Sequence, residues 1–335
     1  MSDKIEYGVQ EIVVNEDHPW NNKYNIKEDV ITFANSRLDW KVNKSPLYVP
    51  DREQTGWYKT VKGHSLLYRE DTGGHLAIAK DSYGIIQNKV LWESLEEALA
   101  GIKYEIVSAG YVQGGRKLFI QARVDDENFT VNGDKFTNLI GAWTSHDGSS
   151  GYELMDNATR NVCRNTTTTS YREGGKVFNL KVRHTKNAVA RIDGLMQNLE
   201  EIFDHRKKFF ADLQELASME VRPQDALAFS AGFFHNSKNK EISTNALNKA
   251  KKVVSLFNNG VGNRGETGYD LFNGFTEYYT HGNREACEQD EVRRNKQFYS
   301  SERGANARAK AHVLDVLMDE QKRNRLFEIG TAVLS

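Results

Sequence analysis

Apolar side chains recur along this chain with two different periods, and the change falls near Val189. Upstream the period is two. Leu118, Ile120, Ala122 and Val124 alternate with polar neighbours, the signature of a strand with one buried face. Tyr104–Val112 precedes that run, and Gln113-Gly114-Gly115-Arg116 between them supplies glycines for the positive φ of a tight turn, so the pair predicts a hairpin. Ser65–Arg69 and His75–Lys80, flanking Asp71-Thr72-Gly73-Gly74, predict a second one. Phe136–Ser145 and Val177–Val182 read as further strands. Leu91, Leu95, Ala98 and Leu99 instead fall at helical spacing, with Glu93, Glu96 and Glu97 outward and Gly101 closing the helix. A short helix is predicted over Val30–Leu38, and residues 51–56 read as a loop.

Downstream, Ile192, Leu195, Leu199, Ile202, Phe209, Leu213 and Leu216 step by three or four, which predicts a long amphipathic helix. Helical patterns follow over Ala226–Phe234, Ala246–Phe257, Leu271–Tyr279 and Ala305–Met318, and a glycine-rich loop occupies residues 258–268. The expected fold is α+β: an antiparallel β-meander with helices in the N-terminal half and a helical C-terminal half. Residues 1–65 read as an N-terminal extension, 66–190 as the α+β core and 191–335 as the helical region.

Composition changes this picture little at first. Of 335 residues, 27% are charged and 39% hydrophobic, which excludes a disordered or collagenous chain. Nowhere do roughly 18 apolar residues follow one another, so no membrane helix is expected. Met1–Glu6 holds no apolar run of the kind a secretory leader needs. Cys163 and Cys287 form no CxxC pair and the histidines are scattered, so neither a disulfide framework nor a zinc or other cofactor site is expected. The expected location is the reducing cytoplasm of a host cell.

Charge, resolved by segment, does change it. The total of 45 basic and 46 acidic groups gives −1. Residues 1–159 hold 17 basic and 24 acidic groups, whereas residues 160–191 hold 8 basic groups against Glu173 alone. This belt contains Arg160, Arg164, Arg172, Lys176, Lys181, Arg183, Lys186 and Arg191, interspersed with Asn161, Asn165, Thr166–Thr169, Ser170 and Tyr171. Hydroxyls and amides beside cations are the groups that contact phosphate and sugar, and Tyr171 is a candidate for stacking a base. A helix through Arg160–Tyr171 would set Arg160 and Arg164 one turn apart, and on the next strand Lys181 and Arg183 share a face. Arg116 and Lys117 could extend such a groove. The competing reading is a solvated face neutralised by acids from residues 1–159.

Other signals are weaker. Ser145-His146-Asp147 cannot form a triad in immediate succession, because neighbouring strand residues face opposite ways, and His146-Asp147-Gly148-Ser149 reads as a turn. A metal site of His146, Asp147 and His184 would need the fold to assemble it. Cys163 lies between Arg160 and Arg164, which could activate its thiol, although a small buried residue is the commoner role. Gly260-x-Gly262-x-x-Gly265 follows a helix rather than a strand and lacks the dinucleotide-binding context. No GxxxxGK[ST] run is present.

Seven pieces stand in order: Asp71-Thr72-Gly73; Asp81-Ser82-Tyr83 with Gln87-Asn88; Gly114-Gly115-Arg116; Ser145–Ser149; Arg160–Thr166; Arg183-His184-Thr185; and Gly268–Tyr278. This series resembles the phage- and plasmid-encoded conserved proteins classified as a domain of unknown function, over about Leu66 to Leu317. The resemblance implies a phage or plasmid setting and no particular activity. The family's central block runs closer to Arg-Val-Val-Cys-Gln-Asn-Thr-Leu. Asn161, Arg164 and Thr167 depart from it, which makes the block here more polar and more basic and points to an exposed or ligand-facing role.

The order of helix, glycine-turned meander, basic segment and helix is also similar to phage single-strand annealing recombinases. Those proteins hold a DNA backbone in a basic groove, commonly as rings or filaments. Together these readings lead to a non-enzymatic protein that binds or anneals single-stranded DNA in phage or plasmid recombination or replication, as a homo-oligomer and away from membranes. Arg160, Arg164, Lys176, Lys181, Arg183 and Arg191 are its expected phosphate contacts. The rivals are an enzyme acting on nucleic acid or nucleotides, built on His146, Asp147, His184 and Cys163, and an interaction protein that binds a host factor through the helical half.

Overall fold

The computed structural model describes residues 10–15, 25–51, 57–125, 129–169, 171–172, 176–177, 180–196, 199–282 and 290–335, with backbone alone at 171–172, 176–177, 195–196, 199, 291 and 295. The chain forms two compact units. Unit 1 comprises residues 1–126, 139–155 and 179–201, and unit 2 comprises residues 127–138, 156–178 and 202–335. The fold is α+β, with antiparallel sheets in the N-terminal half and helices toward the C-terminus.

In unit 1 the alternating apolar runs become the strands their period predicts. β1 (Glu11–Val14) pairs in parallel with β2 (Ile26–Lys27) and antiparallel with β6 (Tyr104–Val112), which pairs with β7 (Lys117–Val124). The turn between β6 and β7 runs through Gln113 (φ 58), Gly114 (φ 67) and Gly115 (φ 95). A side chain at Gly115 would collide with the Trp40 ring, so glycine is required there on two grounds. β7 pairs with the C-terminal part of β9 (Asp134–Ser145), and β10 (Tyr152–Arg160) lies beside β9. The first residues of β10 also pair with β14 (Leu180–Val182). α1 (Asn88–Ala98) buries Leu91, Trp92, Leu95 and Ala98, and Gly101 (φ 85) follows it in the left-handed region. α2 (Ala188–Met196) opens the long helical pattern.

A separate sheet runs in the order β3 (Val42–Pro50), β4 (Tyr58–Arg69) and β5 (His75–Lys80), so the Asp71–Gly74 hairpin forms where the sequence predicts it. β4 begins seven residues earlier than its apolar pattern suggests. β5 covers β4 only from His64 onward, while β3 and β4 continue together as a two-stranded ribbon to Pro50 and Tyr58.

The predicted helix over Val30–Leu38 is absent, and turns occupy residues 33–37. Asn35 explains why. Its side-chain oxygen accepts from Thr32 N (2.7 Å) and its amide donates to Val30 O (2.9 Å), a local closure that competes with the helical ladder. Arg37 then turns left-handed (φ 64) and Val30 remains exposed.

In unit 2, β8 (Thr130–Val131) forms a hairpin with the start of β9, and the end of β10 pairs with β11 (Asn165–Thr168). β12 (Tyr171–Arg172) pairs with β13 (Lys176–Val177), so β13 and β14 hold the two ends of the expected Val177–Val182 strand. Helices α3 (Leu199–Ser218), α4 (Pro223–Phe234), α5 (Thr244–Asn259), α6 (Gly268–His281), α7 (Glu291–Glu302), α8 (Ala305–Met318) and α9 (Glu320–Leu334) follow. Their apolar faces meet in a core that includes Phe209, Leu213, Phe229, Val253, Phe257, Phe275, Leu314 and Leu317. No helix among the described residues is long and apolar enough to cross a membrane.

Candidate nucleic-acid interface

The basic belt does not lie on one face, because its residues have two different fates. The first is burial in unit 2. Instead of a helix through Arg160–Tyr171, β10 ends at Arg160, residues 161–164 turn, and β11 returns. Arg160 is 1% exposed. Its Nε donates to Asp134 Oδ2 (2.8 Å), Nη1 to Asn263 Oδ1 (2.9 Å) and Nη2 to the Gly262 carbonyl (2.8 Å). The Tyr269 ring covers the guanidinium at 5.2 Å, and the Tyr269 hydroxyl donates to the same Asp134 oxygen.

Two sequence blocks acquire a structural meaning here. A Cβ at Gly262 would lie 2.7 Å from Arg160 Nη2, so the glycine run is a cradle for a guanidinium. Asp270 holds that cradle by accepting from the backbone N–H groups of Arg264, Glu266 and Thr267 and by completing the Thr267 capping box of α6.

The threonine run is buried as well. Thr169 Oγ1 donates to Asp156, Thr159 and Thr166 share a hydroxyl hydrogen bond (3.1 Å), and Asn165 donates to Thr276. Lys310 is fully buried, donating to Thr166 O, Thr280 Oγ1 (3.2 Å) and Ser301 Oγ (2.9 Å). Burial pulls its ammonium down to about 8, opposed by the Glu302 carboxylate. Of the three departures from the family block, Asn161 and Arg164 are exposed and Thr167 is buried. Arg164 takes a left-handed conformation (φ 57). The side chains of Tyr171 and Lys176 lie outside the described residues.

The second fate is exposure in unit 1. Lys181 on β14 is ion-paired with Glu153 (2.6 Å). Arg183, Lys186 and Arg191 are exposed, and among the described residues their side chains make no hydrogen bond or ion pair. Close backbone approach fixes the loop that carries the first two. A Cβ on Gly84 would lie 1.9 Å from Thr185 O, and Gly84 and His184 exchange hydrogen bonds. The His184 ring stacks on Tyr83 with centroids 4.6 Å apart and planes 12° from parallel. Lys44 of β3 donates to the Tyr83 carbonyl (2.6 Å), which ties the base of the β3–β4 ribbon to this loop. Arg116 is buried and donates to the His75 and Leu76 carbonyls, both at 2.8 Å, while Lys117 is half-buried. Arg160 and Arg116 therefore direct their donors into the protein, and Arg164, Arg183, Lys186 and Arg191 keep theirs outside.

The structure does bring His146, Asp147 and His184 into one neighbourhood of unit 1. Asp147 accepts from Ser149 N (2.8 Å) in the expected turn, and Ser145 Oγ donates to Ser150 O. Asn88 Nδ2 donates to two carbonyls, which leaves its Oδ1 to accept from His146 Nε2 at 2.9 Å. Among the described residues no group of three His, Cys, Asp or Glu is placed to hold a metal ion. Burial pushes the Cys163 thiol up despite Arg160 beside it, the opposite of activation. A cavity of about 590 Å3 in unit 1 is rimmed by Asp29, Glu93, Glu96 and Glu105 against Lys89, a net charge of the wrong sign for a polyanion.

Burial, with a smaller contribution from the nearby His184, pulls the His146 imidazole down to about 3. The unfolded chain takes up this proton below about pH 6.5, whereas the folded chain excludes it. Stability linked to His146 is thus complete above pH 6.5 and is lost as pH falls toward 3, by about 1.4 kcal/mol per pH unit. In urea unfolding at pH 7 and pH 4.5, His146→Gln is expected to lose clearly less stability on acidification than the parent. Parallel losses would show that the imidazole is not shielded.

The geometry defines an α+β protein, with antiparallel sheets in the N-terminal half and helices toward the C-terminus. The family described as "Domain of unknown function (DUF932)" matches residues 75–310, and the chain belongs to that family. Comparison with curated proteins and with solved structures found no match.

Proposed function

We propose that the protein binds single-stranded nucleic acid, and does so as a homo-oligomer in phage or plasmid recombination or replication. One observation carries the reading. With Lys181 paired to Glu153, Arg183, Lys186 and Arg191 of unit 1 stay exposed and make no ion pair among the described residues. Three exposed cations on one short stretch of chain favour an anion, and the Thr185 hydroxyl in the loop bearing Arg183 and Lys186 is a ready phosphate donor. The stacked Tyr83–His184 pair holds the backbone of the loop that carries Arg183 and Lys186.

The test is binding of a labelled oligothymidylate between 50 and 200 mM salt. Affinity is expected to fall steeply with salt, and replacing Arg183, Lys186 and Arg191 together by Ala should weaken binding about tenfold or more. The same variant should reduce the log–log salt slope by about 2, at about 0.7 for each lost phosphate contact on a single strand. All three side chains are exposed, so thermal stability should be unchanged. Absence of binding, or binding insensitive to salt, refutes the reading.

A further inference from the structure

The β3–β4 ribbon carries large apolar side chains where a monomeric surface would be expected to carry polar ones. Beyond the reach of β5 it is two strands thick, with Tyr48 opposite Thr60, Val49 opposite Lys59 and Pro50 opposite Tyr58. Trp57 is 70% exposed, Tyr58 69% and Tyr48 60%. Trp40, Trp92 and Trp143, by contrast, are all buried. A two-stranded ribbon with both faces wet gains almost nothing from such rings, so their exposure points to a partner.

The β3 edge of the ribbon argues against a second copy adding a strand there. β3 is the outer strand of its sheet. Pro46 and Pro50 remove backbone donors from it, Lys44 adds charge, and a bulge interrupts its register between Pro46 and Tyr48. These are the devices by which edge strands resist pairing. The charges on the ribbon favour a polyanion. Lys44, Lys59 and Lys62 are exposed, and the acid described on it, Asp51, lies 3.8 Å from Lys59.

The alternation of the strands sorts the side chains. Tyr48, Pro50, Tyr58 and Thr60 share one face, while Val49 and Lys59 take the other. Tyr48 and Tyr58 are diagonal neighbours, about 7–8 Å apart by strand geometry. Rings flanked by lysines make up the mixed surface on which bases stack and phosphates are neutralised. The base of the ribbon is tied through Lys44 and Tyr83 to the loop bearing Arg183 and Lys186, so one strand could follow both.

Resting on the nucleic-acid reading above, we infer that this ribbon is the base-stacking element of unit 1, with Tyr48 and Tyr58 stacking bases on one face, Trp57 stacking beside Lys59 on the other, and Lys59 and Lys62 contacting phosphates. The ligand class is unpaired nucleic acid, because bases within a duplex are not free to stack on protein rings.

The experiment compares the parent with the variant carrying Tyr48→Ala, Trp57→Ala and Tyr58→Ala, on oligothymidylate and on an abasic oligonucleotide of equal length. The parent should prefer oligothymidylate. The variant should lose at least tenfold on it, keep the parent's affinity for the abasic strand and keep the parent's salt slope. Oligothymidylate should also quench tryptophan fluorescence in the parent, and the quench should disappear in Trp57→Phe. If the variant binds oligothymidylate as tightly as the parent does, the ribbon is not the stacking element, although the protein still binds nucleic acid. If the parent binds neither strand, both readings fall. Sedimentation velocity supplies the third arm: loss of an oligomer in the variant would make the ribbon a contact between copies and overturn the inference.

Discussion

Asp156→Ala is expected to lower the free energy of unfolding by about 3–5 kcal/mol, the range seen when one partner of a buried ion pair is removed. Asp156 and Arg206 are both within 1% of complete burial. Arg206 donates to both carboxylate oxygens, from Nε to Oδ2 (2.8 Å) and from Nη2 to Oδ1. Thr169 donates its backbone N–H to the Asp156 carbonyl (3.0 Å) and its hydroxyl to the carboxylate. Alanine would leave the buried guanidinium without the carboxylate that accepts two of its hydrogen bonds. The cost comes from stranding a charge and does not measure what the pair adds. Replacing both partners, as Asp156→Leu with Arg206→Met, should therefore cost far less than Asp156→Ala alone. Urea unfolding of the three proteins at neutral pH decides the matter. A single variant that loses under about 1 kcal/mol would mean that water reaches the guanidinium.

Gly330→Ala is expected to destabilise the protein by about 3 kcal/mol, at the upper end of what overpacking usually costs. α4 and α9 cross with their backbones nearly touching. A Cβ on Gly330 would lie 1.7 Å from the Ala228 carbonyl oxygen, and one on Gly232 would lie 2.1 Å from the Leu326 carbonyl oxygen. The obstacle is main chain in both cases, so the helices must separate and uncover the packing of Phe229 on Phe327. Helix propensity acts the other way, since Ala is favoured over Gly by about 1 kcal/mol, but it is the smaller effect. Gly194→Ala provides the comparison, because nothing lies within 4 Å of a Cβ there. Its thermal midpoint should hold or rise while that of Gly330→Ala falls. Equal behaviour of the two would contradict the close crossing.

What the sequence discloses of this fold follows from which elements bury apolar side chains. β6 and β7 start and end where the alternation places them, and the helical patterns after Val189 mark helices because each presents an apolar stripe to the core. β10 and β11 escape that logic. All nine residues of β10 are buried, yet Glu153, Asp156, Asn157, Thr159 and Arg160 are among them. Their partners, such as Arg206, Glu302 and Asn263, come from distant helices and loops, so no local pattern announces a strand. A basic, hydroxyl-rich stretch has the same composition whether it faces phosphate or lines an interior, and the run Thr166–Thr169 lines one.

The ribbon was hidden for a different reason. Pro46 and Pro50 argue against a central strand, and only the edge position of β3 accommodates them. Of the candidate contacts, the exposure of Arg183 and Arg191 and the burial of Arg160 and Arg116 could not be told apart by charge count, because Asp134 and the Gly262 cradle are far from Arg160 in sequence.

The inward-facing polar strands also set an order of events during synthesis. When Thr169 leaves the ribosome, the groups that satisfy β10 and β11 do not yet exist: Arg206, Asn263, Thr276, Glu302 and Lys310 all lie further along the chain. A nascent chain stopped before α8 holds the buried threonines of β11 without the Lys310 ammonium that donates to the Thr166 carbonyl. Unit 2 can only lock once nearly the whole chain has emerged. Such dependence on distant partners makes its folding slow relative to its size.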